Sequence, residues 1–250
     1  FLPGGVRAEG FAFGRVEGFH YNVTDADGAN IEEETLTRSL GAAGLDVSWP
    51  FLRTGRRFDT TLAPRVFAVA ASGIDDDQTP EPAEGNVFDL DRSTLFVADR
   101  TGGYDLWEEG VRIDAGLEAM IEGFGRYRPY VQAFLGRSVR LDGEDGLIPA
   151  PAVAQDESDW VAEVGLGASF ASLTARARTD GETDELRRLD LEASLNLWRV
   201  DLNATYTEVN DQRDFEELEG LVSVDLTSQV SAFYQIRRDI VEQENRVQAA

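Results

Sequence analysis

An all-β fold of antiparallel strands is what the sequence predicts, and three observations carry the prediction. Val111, Ile113, Ala115, Leu117, Ala119 and Ile121 alternate with Arg112, Asp114, Gly116, Glu118, Met120 and Glu122, which is the period of two of a strand with one apolar and one wet face. Such stretches recur along the chain, and the connections between them are by turns short and long, the long ones acidic. Aromatic residues, among them Trp49, Phe51, Phe124, Tyr127, Phe170 and Trp198, gather at the short-turn ends. Short turns at one end, long loops at the other and a girdle of aromatic rings mark an antiparallel transmembrane β-barrel. The chain has room for a partial wall of about a dozen strands of a larger barrel, each needing about 9 to 11 residues.

Taken in order, Val6 to Gly18 alternates small and large residues, with Gly10, Gly14 and Gly18 permitting bends, and the pattern leaves open which face meets lipid. The polar stretch Asn22 to Thr35 reads as a long connection. Alternation resumes over 37–51, reverses at 53–56 and continues over 58–72, where Pro64 removes one ladder hydrogen bond. Residues 73–110 form the longest connection, and its irregular second half, from Asn86, reads as an ordered loop feeding the strand at Val111. A turn at 123–125 leads to a strand over 127–141 and a long connection over 142–159. Strands at 160–170 and 173–178 are joined almost directly. The clearest hairpin is 188–209, with Leu189, Leu191, Ala193, Leu195 and Leu197 opposite Asp190, Glu192, Ser194 and Asn196, then Val200, Leu202, Ala204 and Tyr206 opposite Asp201, Asn203, Thr205 and Thr207. Strands around 222–226 and 230–236 follow, and 246–250 begins another. The remaining long connections fall at 179–187, 210–217 and 239–245.

Composition removes several function classes. A net charge of -24 repels phosphate backbones and argues against nucleic acid. Cysteine is absent, so no disulfide framework or thiolate metal site exists within these residues. No run approaches the roughly 18 apolar residues that a membrane helix needs. His20 is the single histidine and has no evident catalytic partner, and 47 carboxylates place some pair at glycosidase spacing by chance. Asp25, Asp27, Gly28 and Glu34 imitate a calcium loop, but Val23 occupies the first ligand position. The run Asp75 to Asp77 reads as a solvated loop. No enzyme, cofactor or resident metal is expected.

The stretch Asn86 to Leu117 carries residues in an order that composition does not explain: Phe88, Asp89, Asp91, Leu95, Phe96, Arg100, Gly103, Tyr104, Asp105, Glu108 or Glu109, Gly110, Arg112, Gly116 and Leu117. This order resembles the C-terminal barrel domain of the LptD family of lipopolysaccharide-assembly outer-membrane proteins, whose pattern runs FD-x-D, LF, N-R-F-S-G-Y-D-R, E-x-G-x-R and Y-G-L. Asp99, Thr101, Gly102, Leu106 and Ala115 depart from it. The L-G-R-S of 135–138 and the S-D-W-V of 158–161 resemble further family segments.

The resemblance implies transport of lipopolysaccharide from the periplasm to the outer leaflet of a Gram-negative outer membrane, through a barrel lumen and a lateral opening. It also implies outer-membrane lipid, a plug lipoprotein and a periplasmic bridge protein as partners. The chain opens Phe1, Leu2, Pro3 without a leader, so residues 1–250 are expected to be part of a single barrel domain whose periplasmic domain and terminal strands lie elsewhere. Arg112, Asp114, Glu118, Glu163, Asp190, Glu192 and Asp201 are the expected lumen-facing residues. Arg100 and Arg112 are expected to pair with carboxylates such as Asp89 or Asp105, fixing the loop against the wet wall. Two alternatives stay open, a porin or substrate-specific channel and a soluble β-rich adhesion or carbohydrate-binding domain.

Overall fold

The computed structural model describes residues 4–24, 30–73, 89–101, 106–143, 151–153, 156–210, 214–241 and 245–249. They form β1 (Arg7–Thr24), β2 (Asn30–Ser48), β3 (Phe51–Arg53), β4 (Phe58–Ala71), β5 (Gly110–Gly123), β6 (Tyr130–Asp142), β7 (Trp160–Ala168), β8 (Ala171–Thr179), β9 (Leu186–Leu197), β10 (Val200–Asn210), β11 (Asp214–Asp225), β12 (Ser231–Asp239) and β13 (Asn245–Ala249). The sheet has 13 strands in sequence order, with β3 pairing β4 off the main path. A 3-10 turn at Pro151–Val153 is the one other regular element among the described residues.

The predicted strands are present, with two corrections to the connections. β1 runs to Thr24 and β2 starts at Asn30, so most of Asn22 to Thr35 is strand. β10 and β11 likewise extend to Asn210 and from Asp214. Polar residues there still alternate and still find cross-strand partners, such as Tyr206, whose hydroxyl lies 2.9 Å from Glu216 and 3.1 Å from Glu208. Acidity marked the loops too generously, because a strand that continues beyond an apolar band becomes polar on both faces without ceasing to be a strand. Pro64 is accommodated inside β4. Its carbonyl accepts from Trp49 N at 3.0 Å, so its missing N–H points to the same side, where the neighbouring strand breaks between Ser48 and Phe51.

The chain divides into two compact units: Phe1–Ser48, Val66–Ala115 and Ser138–Ser158 make one; Trp49–Arg65, Gly116–Arg137 and Asp159–Ala250 make the other. In the second unit the registers sort side chains onto two faces. One row across the strands reads Val131, Leu166, Leu173, Ala193, Ala204, Gly220, Ile236; the next reads Gln132, Gly165, Thr174, Glu192, Thr205, Glu219, Arg237. Burial is inverted relative to a soluble protein. Val131, Leu135, Val164, Leu166, Leu173 and Leu197 are exposed while Glu163 is buried. A sandwich would cover the apolar rows with a second sheet, whereas an exposed apolar patch of this extent marks a surface that meets lipid or protein.

Two-residue turns join β7 to β8 and β9 to β10. Trp198 in the second holds φ +52, a left-handed conformation common in such hairpin turns and one that a bulky residue adopts only under strain. Its ring is 91% exposed, so packing within the described residues does not account for that strain.

In the first unit β5 enters through Gly110, at φ +92, where a Cβ would run into the Asp142 carbonyl and the Gly143 Cα. Gly110→Ala is therefore expected to lower the melting temperature of the whole protein by several degrees, since backbone strain of this kind costs about 1–3 kcal/mol, and a calorimetric scan in detergent checks it.

Candidate functional site

The site lies in the first unit, where described residues of the 73–110 connection pack on the polar face of β1, β2, β4 and β5. Locally the loop is organised by Asp91. Its Oδ1 accepts from Ser93 N at 2.6 Å and Thr94 N at 2.9 Å, and Leu95 N donates to its carbonyl at 3.0 Å, an Asx turn that starts a short reversal. Burial works to raise the Asp91 carboxyl, but the hydrogen bonds from Ser93 and Thr94 hold it below its usual value. The turn drives Leu95 into full burial and brings Phe96 and Ala98 against Leu40, Ala42, Phe67 and Val69. Trp107 completes this apolar cluster at 1% exposure. Its indole N–H donates to the Ser72 carbonyl at 2.8 Å, its ring meets Phe13 edge-on at 6.0 Å, and the Arg15 guanidinium lies 5.0 Å from its centroid.

Two buried ionic sets clamp the loop to the strands. In the first, Arg38 of β2 donates to Glu17 at 2.6 Å, Arg15 of β1 lies 2.6 Å from the other Glu17 oxygen, and Arg15 also reaches Asp99 of the loop at 3.3 Å. Thr101 donates its hydroxyl to Asp99 at 2.6 Å. In the second, Glu108 accepts from Arg100 Nε at 2.7 Å and again from Arg100 Nη2, stands 3.3 Å from Arg112, and Arg112 pairs in turn with Asp114. Arg112 also donates to the carbonyls of Val97 and Ala98. In each set the guanidiniums named face two carboxylates, the pairing under which buried ions are tolerated. Burial pushes the Glu108 carboxyl up, but the hydrogen bond and charge of Arg100 and the charges of Arg112 and Arg140 outweigh it and hold the group below its usual value.

Among the described residues Arg112 pairs with Glu108 and Asp114, and Arg100 pairs with Glu108. Asp89 contributes its carbonyl to Thr94 Oγ1 at 2.9 Å. Phe88, Gly103, Tyr104 and Asp105 lie outside the described residues, as do Asp25, Asp27, Gly28 and Asp75 to Asp77. Gly110 makes the strand entry, and Gly116 and Glu118 stand on the same face of β5 as Arg112 and Asp114.

The other candidate residues sit on the polar face of the second unit. Glu163 meets Gln132 at 3.1 Å and Arg176 at 3.2 Å, Arg176 donates to Glu192 at 2.7 Å, Asp190 accepts from Arg188 at 2.7 Å and Thr207 at 3.0 Å, and Asp201 accepts from Asn196. A cluster that the sequence reading missed lies at the loop end, where Asp159 stands 3.2 Å from Arg178 and 3.6 Å from Arg187, and Arg187 also pairs with Asp180. Asp180 is held below its usual value by the backbone N–H groups of Thr183 and Glu182. Its signal was legible in principle, since the family-like S-D-W-V segment contains Asp159. His20 hydrogen-bonds Thr35 across β1 and β2 at 3.1 Å. Among the described residues no group of three His, Cys, Asp or Glu side chains could hold a metal ion.

The family model for LPS transport system D, LptD, matches residues 14–238. The chain belongs to the LptD family. The match spans β1 to β12 and includes the clamped loop, so the resemblance carried by Asn86 to Leu117 extends over most of the chain. LptD proteins are outer-membrane β-barrels of lipopolysaccharide transport, and the all-antiparallel sheet with its exposed apolar face agrees with that architecture. A comparison with curated proteins returned no match.

Within this LptD sheet Arg100→Ala removes one guanidinium paired with Glu108 while Arg112 remains. The expected outcome is a partly released loop, about 1–3 kcal/mol less stable, seen as faster proteolysis at residues 89–109 and increased outer-membrane permeability in cells.

Proposed function

We propose that this chain forms part of the wall of a single outer-membrane barrel of a Gram-negative bacterium that receives lipopolysaccharide from a periplasmic bridge protein and delivers it to the outer leaflet without a covalent reaction. The observation that carries the reading is the inverted burial of a chain matched by the lipopolysaccharide-transport family: leucines and valines exposed on one face, arginines and carboxylates buried on the other. On this reading the exposed rows meet acyl chains, and Arg112, Asp114, Glu118, Glu163, Asp190, Glu192 and Asp201 line a hydrophilic lumen. Sugar hydroxyls and phosphates exchange water for such side chains at little net cost. Each acyl CH2 left in water costs about 0.8 kcal/mol, which favours exit of the lipid tails sideways into the bilayer.

The clamped loop, with Phe88, Asp89, Asp91, Leu95, Phe96, Arg100, Gly103, Tyr104, Asp105 and Gly110, fills or caps the lumen from outside, and a plug lipoprotein is the expected partner from within by family resemblance. Depletion of the whole protein tests the reading, with newly made lipopolysaccharide expected to stop reaching the cell surface. Unchanged surface delivery together with steady ion conductance of the purified protein in single-channel recordings would favour the porin reading instead.

A further inference from the structure

All 23 basic residues of the chain are arginine, and on the polar face they meet carboxylates, as Arg15, Arg38, Arg100, Arg112 and Arg176 do. The short-turn end of the second unit is arranged differently. Arg53, Arg56 and Arg57 cluster at the β3–β4 turn and Arg126 at the β5–β6 turn, two turns joined by the hydrogen bond from Phe124 N to the Arg57 carbonyl at 2.9 Å. All four side chains are exposed, and among the described residues none of the four has a carboxylate partner. The carboxylates on the strand ends beside these turns, Asp59 and Glu122, instead share a cavity with Arg128. In a protein with twice as many acids as bases, four arginines without a carboxylate partner among the described residues make a locally positive rim.

The rim is built onto aromatic rings. Phe124, Tyr127, Pro129 and Phe170 line an open cleft that also contains Arg126; Tyr127 and Phe170 pack edge-to-face at 5.6 Å, and the Arg126 guanidinium lies 5.6 Å from the Tyr127 centroid. At the entry to β3 the Trp49 and Phe51 rings meet tilted at 4.7 Å, with Arg53 two residues further along. Exposed aromatic rings sit at the depth of the headgroups, and guanidinium suits bidentate binding of phosphate oxygens. An acidic protein would also be attracted to the charge, but it would not need an apolar cleft opening beside Arg126, whereas a phospholipid offers both a phosphate and the glycerol and acyl carbons next to it.

We propose that this cleft and its adjacent arginines form a docking surface for anionic phospholipid headgroups of the leaflet on the short-turn side, the phosphodiester on Arg126 and its glycerol and proximal acyl carbons against Phe124, Tyr127 and Phe170. The inference rests on the membrane placement of the preceding section but not on the cargo.

The test uses the whole protein in nanodiscs of phosphatidylethanolamine with a minor share of phosphatidylglycerol, with co-purifying lipid counted by native mass spectrometry. The wild type is expected to retain phosphatidylglycerol in preference to phosphatidylethanolamine. Arg126→Gln is expected to reduce that preference roughly five-fold, the equivalent of about 1 kcal/mol for one arginine at an anionic surface, and Arg126→Lys to keep most of it. No preference in the wild type overturns the proposal, as does an equal loss on Arg238→Gln, which removes the same charge from an exposed residue at the long-loop end. Preference unchanged in a variant lacking Arg53, Arg56, Arg57 and Arg126 together overturns it as well, and points to an acidic protein. Surface delivery of lipopolysaccharide, measured on the same variants, separates the two readings: normal delivery without lipid preference sinks only this one, and lipid preference without delivery sinks only the transport function.

Discussion

Glu108→Ala is expected to be the most damaging single substitution in the loop. Glu108 is 6% exposed and lies against both Arg100 and Arg112. Removing it takes a carboxylate out of a buried set of guanidiniums, and deleting one partner of a buried pair costs about 3–5 kcal/mol. The loop should then leave the sheet, with residues 89–109 cut by protease far faster than in the wild type and outer-membrane permeability raised. Arg100→Ala should do less, because Arg112 still answers Glu108. Replacing Arg100 and Glu108 together by Leu should recover part of the loss, since a neutral apolar pair leaves no orphaned charge and Arg112 keeps Asp114. A double variant as protease-sensitive as Glu108→Ala would show that the charge balance described for the clamp is not what holds the loop.

The same group makes the clamp sensitive to acid. Its folded-state pKa lies below the usual glutamate value, so the stabilisation it contributes is present in full above the unfolded value and is lost as pH falls through the folded one. Proteolysis by an acid-tolerant protease should therefore accelerate at the loop below the ordinary glutamate range, and Glu108→Ala should flatten that dependence.

Trp107→Ala is the second large effect expected. The side chain is 1% exposed within a cluster of Leu40, Ala42, Phe67 and Val69 and donates to the Ser72 carbonyl. Truncating a buried Trp costs about 3–5 kcal/mol through lost contacts and the cavity left behind. Trp107→Phe should keep much of the packing and lose mainly the hydrogen bond, about 1 kcal/mol. Thermal unfolding in detergent, followed together with loop proteolysis, should rank wild type above Trp107→Phe and both above Trp107→Ala. Equal melting of all three would mean that the apolar cluster does not anchor the loop.

These two residues show where the sequence is readable and where it is not. Period-two alternation tells which side chains share a face, so the strands from Val111 onward and the hairpin 188–209 could be read directly. It does not tell what each face meets. The alternation of β1 leaves its lipid-facing side open, and the structure shows Phe11 and Phe13, with Leu40 and Phe67, on the side covered by the loop, while Gly10, Ala12, Gly14 and Val16 turn the other way. The motif order announced that 86–117 was special and that its arginines needed carboxylates. Several acids lay within reach in sequence, and choosing Glu108 required knowing that the chain folds back so that Arg100 and Arg112 flank it. The acidic segments 30–35 and 214–217 were misread because strand pairing, not hydropathy, keeps them extended. The Asp159, Arg178 and Arg187 cluster joins a connection residue to β8 and β9, and only Asp159, within the S-D-W-V segment, carried a sequence signal.

The central claim is that the exposed apolar face lies in hydrocarbon and the polar face does not. These 250 residues contain no cysteine, so single cysteines introduced along β9 at positions 190–195 in the whole protein, spin-labelled and reconstituted in a bilayer, read the claim directly. Labels at Leu191, Ala193 and Leu195 should be accessible to oxygen dissolved in the membrane, and labels at Asp190, Glu192 and Ser194 to a water-soluble nickel chelate, alternating with a period of two. Nickel accessibility at Leu191, Ala193 and Leu195, or protection of those positions from both reagents, would contradict it.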